Sequence, residues 1–123
     1  MSNPKVSIII PLKNFNQYIN ESVRACLELD YADFEVMVLP DDLTGRFDYE
    51  NDPRVRVLPT GHIGPSQKRD IGAREAAGEI LAFIDDDAYP VKGWLGAAVP
   101  HFEDPEVAAV GGPGVTPPSD GLY

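Results

Sequence analysis

Three short apolar runs in this chain stop at a proline, and a fourth stops at three aspartates. Val6–Ile10 (VSIII) is closed by Pro11, Phe34–Leu39 (FEVMVL) by Pro40 and Val55–Leu58 (VRVL) by Pro59, while Ile80–Ile84 (ILAFI) runs into Asp85-Asp86-Asp87. Continuous β-branched and apolar runs of this length read as strands buried on both faces, as in a parallel sheet. Ile80–Ile84 is the most apolar of them and is expected at the centre of the sheet.

The segments between these runs read as helices and loops. Over residues 17–29, Ile19, Val23, Cys26 and Leu27 fall on one helical face, with Glu21, Arg24 and Glu28 elsewhere. Asn16 or Asn14 is placed to cap that helix. Pro65 stands at a first helical position, residues 65–77 carry helix formers, and Gly78 fits the position after the helix. Val91–Val99 is expected to be a helix ended at Pro100, and Val107–Val110 a last short strand. Residues 41–52 and 61–64 read as loops, and 111–123 as a loop-like tail. No internal repeat is present. The order β-α-β-(loop)-β-α-β-α-β over residues 1–123 describes a single α/β domain: a mostly parallel open sheet flanked by helices. In such sheets ligands bind at the carboxyl ends of the strands, near the point where strand order reverses.

Charge narrows the partners. Twenty acidic against ten basic residues give a net charge of −10. That argues against a nucleic-acid backbone or an anionic membrane surface as the main partner. A phosphate-bearing ligand would need a divalent cation or a local basic group as intermediary. The single cysteine, Cys26, forms no intrachain disulfide, which fits a reducing compartment. The first apolar run is too short for a signal peptide or a bilayer span, and no later run reaches eighteen apolar residues. The expectation is a soluble, cytoplasmic chain.

Three polar clusters follow strands directly: Lys13-Asn14 after the first, Asp41-Asp42 after the second, and Asp85-Asp86-Asp87 after the fourth. Adjacent carboxylates repel, and a hard cation such as Mg²⁺ or Mn²⁺, which needs only one or two protein carboxylates beside water and phosphate oxygens, would offset that cost. Alternate residues of an extended segment share a face, so Asp85 and Asp87 would project together and Asp86 away. A solvated acidic turn explains the same residues equally well. Asp41 or Asp42 suits a bond to a base or ribose hydroxyl, but a turn or Asx motif before Gly45 accounts for both more simply. The helix opened by Gly64-Pro65-Ser66 gathers Lys68, Arg69 and Arg74, which fits either phosphate binding or a solvated face. His62 and His101 lack a second histidine at metal spacing. Ser66 and Cys26 lack a base partner, and Trp94 is expected to pack rather than stack on a sugar. Neither a Walker A sequence nor G-x-G-x-x-G occurs.

Four segments, taken together in order and spacing, resemble the N-terminal half of inverting glycosyltransferase family 2 enzymes of the GT-A fold. They are Val6–Asn14 (VSIIIPLKN), Phe34–Asp42 (FEVMVLPDD), Gly64–Gly72 (GPSQKRDIG) and Gly78–Asp87 (GEILAFIDDD). The match runs from about Lys5 to Val115. The resemblance implies a Rossmann-like nucleotide-diphospho-sugar transferase fold, truncated as given. It implies sugar transfer with inversion from a nucleotide-diphosphate sugar to an acceptor hydroxyl, dependent on Mg²⁺ or Mn²⁺ through a DxD motif. Pro11 and Lys13 would line the base, with Lys13 standing where tyrosine is common. Pro40 stands where the family has an aspartate, so the base or ribose contact falls to Asp41 by ungapped counting, or to Asp42. Asp85 and Asp86 would lie near the nucleotide, and Asp87 with Asp85 would hold the metal. Arg69 would approach the nucleotide or serve the fold. The family's general base has no counterpart here and is expected beyond Tyr123. The alternative is a non-catalytic nucleotide or nucleotide-sugar binding module. Absence of the family's C-terminal half would expose a sheet edge and favour a homodimer, and the full-length enzyme could work at the cytoplasmic face of a membrane.

Overall fold

A computed structural model describes residues 3–111. It contains strands β1 (Val6–Pro11), β2 (Phe34–Leu39), β3 (Val55–Val57) and β4 (Ile80–Phe83). Helices α1 (Gln17–Leu27), α2 (Pro65–Glu75) and α3 (Trp94–Ala98) lie between and after them, and a 3-10 helix at Val99–Glu103 continues from α3.

The four strands form one sheet in the order β3-β2-β1-β4, and every neighbouring pair is parallel. The chain thus builds outward from β1 to β3, then returns across the sheet to place β4 on the other side of β1. Strand order reverses between β1 and β4, and a crevice opens there beyond the strand ends. All residues of β1 and β2 are buried, as continuous apolar runs require. On one face Val6, Ile8 and Ile10 meet Ile19, Val23 and Cys26 of α1, with Leu95 and Val99 completing the cluster. On the other face Ile9, Met37 and Leu39 pack with Ile71 of α2.

Caps and close approaches set the helices in place. Asn16 caps α1, its Oδ1 accepting from the amides of Tyr18 and Ile19 at 2.9 and 3.1 Å. Asn14 instead donates to Asp42 at 3.2 Å. Pro65 opens α2 as expected, and Gln67 folds back to accept from the Gly64 amide at 3.1 Å. Gly72 lets α2 lie on β1, since a Cβ there would sit 2.7 Å from Ile9 Cγ2.

Several expectations are corrected. Among the described residues β4 is an edge strand, not the centre; β1 is central. Ile80 and Ala82 pack on the core while Leu81 and Phe83 are 38% and 46% exposed. The run is apolar on both faces, but only one face is covered. Val107–Val110 forms no strand: Ala108 to Val110 are exposed and Val107 closes a turn on Asp104 instead of pairing with a neighbour. The helix at 91–99 is shorter, beginning at Trp94, and α2 ends at Glu75 rather than 77. Gly78 is not a left-handed helix terminator, because positive φ occurs only at Gly45 and Gly61 among the described glycines. It is required by a close approach, since a Cβ would lie 2.6 Å from Ser7 N. All of the expected tail but Gly111 lies outside the described residues.

Candidate functional site

The ends of β1 and β2 are tied together where the crevice begins. Leu12 N donates to Leu39 O at 3.2 Å and Asp41 N to Lys13 O at 2.9 Å. Asp41 O in turn accepts from the Gly61 amide at 2.8 Å, which brings the 61–64 loop over the strand ends. These backbone bonds hold Asp41 at the crevice wall before its side chain makes any contact.

Beneath them lies a buried cation. The Lys68 side chain is 3% exposed, and its ammonium donates to Asp41 Oδ1 at 2.5 Å, to Leu39 O at 3.1 Å and to Leu12 O. The other carboxylate oxygen, Asp41 Oδ2, lies 2.9 Å from Nδ1 of His62, whose side chain is 87% exposed. The hydrogen bonds from Lys68 and His62 hold the Asp41 carboxyl below the ordinary aspartate range, against the opposing cost of its own desolvation. Asp42 turns away into a local motif, accepting from the Thr44 amide at 2.8 Å and from Asn14.

Across the crevice, the segment after β4 carries the three aspartates. Asp85 and Asp87 are exposed and Asp86 is half-buried, but the expected extended segment is corrected: Asp86 and Asp87 form a turn, closed by Ala88 N donating to Asp85 O at 3.1 Å. Burial, then the neighbouring Asp87 and Asp85 charges, push the Asp86 carboxyl upward. Arg69 Nη2 lies 3.5 Å from Asp85 Oδ1. The segment is docked on α1: Ser22 Oγ donates to Ala88 O, and Tyr89 donates to Glu21 at 2.7 Å.

These elements enclose one cleft of about 670 Å³. Pro11 and Lys13, Asp41, Arg69 and the Asp85–Asp87 trio all line it, so the ends of β1, β2 and β4 contribute to a single wall set. Asp42 does not line it. Two residues read differently from the sequence do: Lys68, which was open to being part of a solvated face, and His62, which had no evident partner. Lys68 had one legible signal, since it lies three and four residues before Ile71 and Gly72, on the sheet-facing side of α2. Of the remaining singled-out residues, Ser66, Arg74 and His101 are exposed, while Trp94 and Cys26 are packing residues. Trp94 packs against the core, and burial raises the Cys26 thiol to about 12.

The donor set fits a cation only in part. Among the described residues no group of three or more His, Cys, Asp or Glu side chains is placed to hold a metal. Asp85 and Asp87, both exposed, line the cleft beside the half-buried Asp86, whose carboxyl is raised by burial first and then by their charges. That suits a hard cation whose shell is completed by water and ligand phosphate oxygens.

The family model for glycosyl transferase family 2 matches residues 7–123. An uncharacterized glycosyltransferase of Haemophilus influenzae is 31% identical over 97 residues, covering 72% of this chain and 38% of the relative. The mannosyltransferase PcManGT of Pyrobaculum calidifontis, solved with GDP-Man and Mn²⁺, superposes with a TM-score of 0.73 at 28% identity, over 85% of this chain and 34% of that one. Residues 1–349 of Staphylococcus aureus TarS, solved with UDP, superpose with a TM-score of 0.71 at 27% identity, over 89% and 38%. The chain therefore spans less than two fifths of the length of each of these proteins.

Proposed function

Since the chain belongs to glycosyl transferase family 2 and has the GT-A fold, we propose that its cleft is the donor site of a sugar transfer with inversion, taking a nucleotide-diphosphate sugar. The observation that carries this reading is convergence: three strand ends bring Lys13, Asp41 and Asp85–Asp87, and α2 brings Arg69, to one cleft of about 670 Å³. Similarity to proteins solved with GDP-Man and Mn²⁺ and with UDP supports it.

In this reading Asp41 accepts from the base or ribose, with Pro11 and Lys13 beside the base. Asp42, bonded to Asn14 and Thr44, serves this end only by shaping the turn. Asp85 and Asp86 lie toward the ribose and phosphates. Asp87, with Asp85, would hold Mg²⁺ or Mn²⁺, and Arg69 supplies a second positive group at the diphosphate end. A cation held there supplies Lewis-acid stabilisation of the charge that grows on the leaving diphosphate. Lys13 and Arg69 orient the donor, and the low-lying Asp41 carboxylate stays an acceptor throughout the physiological range. The acceptor hydroxyl needs a general base, and none of the described cleft residues is assigned that role. No helix among the described residues is long and apolar enough to cross a membrane; we place the domain on the cytoplasmic side, as a buried free thiol suits.

A second reading of the same cleft is a non-catalytic nucleotide-sugar binding module. Calorimetric titration with UDP and GDP, with and without Mn²⁺, tests the shared binding claim; micromolar, Mn²⁺-dependent binding is expected. Turnover of a sugar nucleotide by the full-length protein, absent from residues 1–123 alone, separates the enzyme from the module.

A further inference from the structure

Lys68 is an ammonium with three donors, and all three are used inside the protein: on Leu12 O at the end of β1, Leu39 O at the end of β2, and Asp41 Oδ1. No donor remains for a ligand, and the group is 3% exposed. Its reach to the cleft is therefore through Asp41. That carboxylate has one oxygen committed to the buried lysine and the other facing His62, which is 87% exposed and free to yield its place. One oxygen is fixed and the other can be exchanged with an incoming donor group.

We propose that Lys68 is a positioning residue for nucleoside recognition, holding Asp41 by Oδ1 so that Oδ2 alone is presented to the base or ribose. This rests on the donor-site reading above. A buried charge is costly without a partner and strongly bound with one, so the pair sets both the ionisation and the orientation of Asp41. The groups facing Asp41 are Lys68 from α2, His62 from the 61–64 loop and Asp42 beside it in sequence; Arg69, also on α2, and Asp85, after β4, line the same cleft and pair with each other. Only Lys68 among them is buried.

The test is a double-mutant cycle on the full-length protein with Lys68→Met and Asp41→Asn, read with two probes: a nucleoside diphosphate (UDP or GDP, whichever the wild type binds) and Mn²⁺ with inorganic pyrophosphate. Lys68→Met and Asp41→Asn are each expected to weaken nucleoside diphosphate by about ten- to a hundredfold. Pyrophosphate affinity, which reports on the Asp85–Asp87 end, should stay within about twofold. The double variant should bind nucleoside diphosphate no worse than Asp41→Asn alone, because Lys68 acts through Asp41. Should Lys68→Met alone fail to fold, the double variant, which removes both charges together, keeps the comparison with Asp41→Asn. Equal losses for both probes, or losses that multiply in the double variant, overturn the proposal. A wild type that binds neither nucleotide instead sinks the donor-site reading.

Discussion

Arg69 on α2 and Asp85 after β4 face each other at 3.5 Å, with side chains 38% and 74% exposed. The pair joins the two walls of the cleft, yet solvent weakens it, and exposed ion pairs of this kind add at most about 1 kcal/mol. It therefore contributes little to stability.

The first prediction follows from that contrast. Asp85→Asn should shift unfolding free energy by no more than about 0.5 kcal/mol in urea titration. Asp87→Ala should be equally stable but lose about tenfold to a hundredfold in Mn²⁺-dependent nucleotide affinity, as removal of a charge-assisted contact implies. Unchanged Mn²⁺ dependence in Asp87→Ala would refute the cation's placement.

Glu35 yields a pH prediction. Its side chain is 7% exposed and accepts from Ser7 Oγ at 2.6 Å, the Ala77 amide at 2.7 Å and Arg56 at 3.1 Å. Burial pushes the carboxyl up, but the bonds from Ser7, Ala77 and Arg56 outweigh it and leave it below the ordinary value. A lowered folded value means the contribution is complete above the unfolded glutamate pKa, near 4.3, and is lost as pH falls through the folded one. Glu35→Gln should flatten the acid limb of the stability curve below about pH 4.3. Glu35→Ala should cost about 2–3 kcal/mol at pH 7, by leaving three donors without their acceptor. An acid limb identical to wild type in Glu35→Gln would rule out this linkage.

Glycine substitutions should rank by what a methyl group meets. At Gly78 a Cβ would lie 2.6 Å from Ser7 N and 2.9 Å from Lys5 O, both backbone atoms that cannot step aside. Gly72 meets the Ile9 side chain at 2.7 Å, which can partly yield, for a cost of about 1–3 kcal/mol. Gly96, inside α3, meets nothing within 4 Å, so alanine there should stabilise by about 0.5–1 kcal/mol. The expected order of melting temperatures is Gly96→Ala above wild type, then Gly72→Ala, then Gly78→Ala, and an inverted order would show that α2 packs otherwise.

The free side of β4 bears on association. Its backbone edge is unpaired among the described residues, and Leu81 and Phe83 are exposed beside it. An uncovered apolar edge strand invites pairing with another copy. Sedimentation of residues 1–123 should show a dimer at high concentration, and Phe83→Lys should restore the monomer. A monomeric wild type across the same range would count against pairing through β4.

Much of the architecture was written locally. VSIII and FEVMVL read as strands buried on both faces because every residue is apolar or, as with Ser7 and Glu35, has a partner that only the fold supplies. Pro65 and the Asn16 cap mark helix starts through fixed φ and a single side-chain oxygen. The exposure of Asp85, Asp86 and Asp87 was not legible, because a turn closed by Ala88 N on Asp85 O sets it rather than an extended chain. The place of β4 was not legible, because an apolar run does not say which of its faces will be covered. Nor did the acidic pair after β2 reveal that Asp41 enters the cleft while Asp42 turns to Thr44.

The sequence by itself determined the four strands that form, the first two helices and which carboxylates stand at strand ends, since those depend on neighbours a few residues apart. Only the tertiary structure decided that Lys68 is buried and bound to Asp41. Burying an ammonium requires three acceptors at once, and here they come from Leu12, Leu39 and Asp41, up to 56 positions away along the chain.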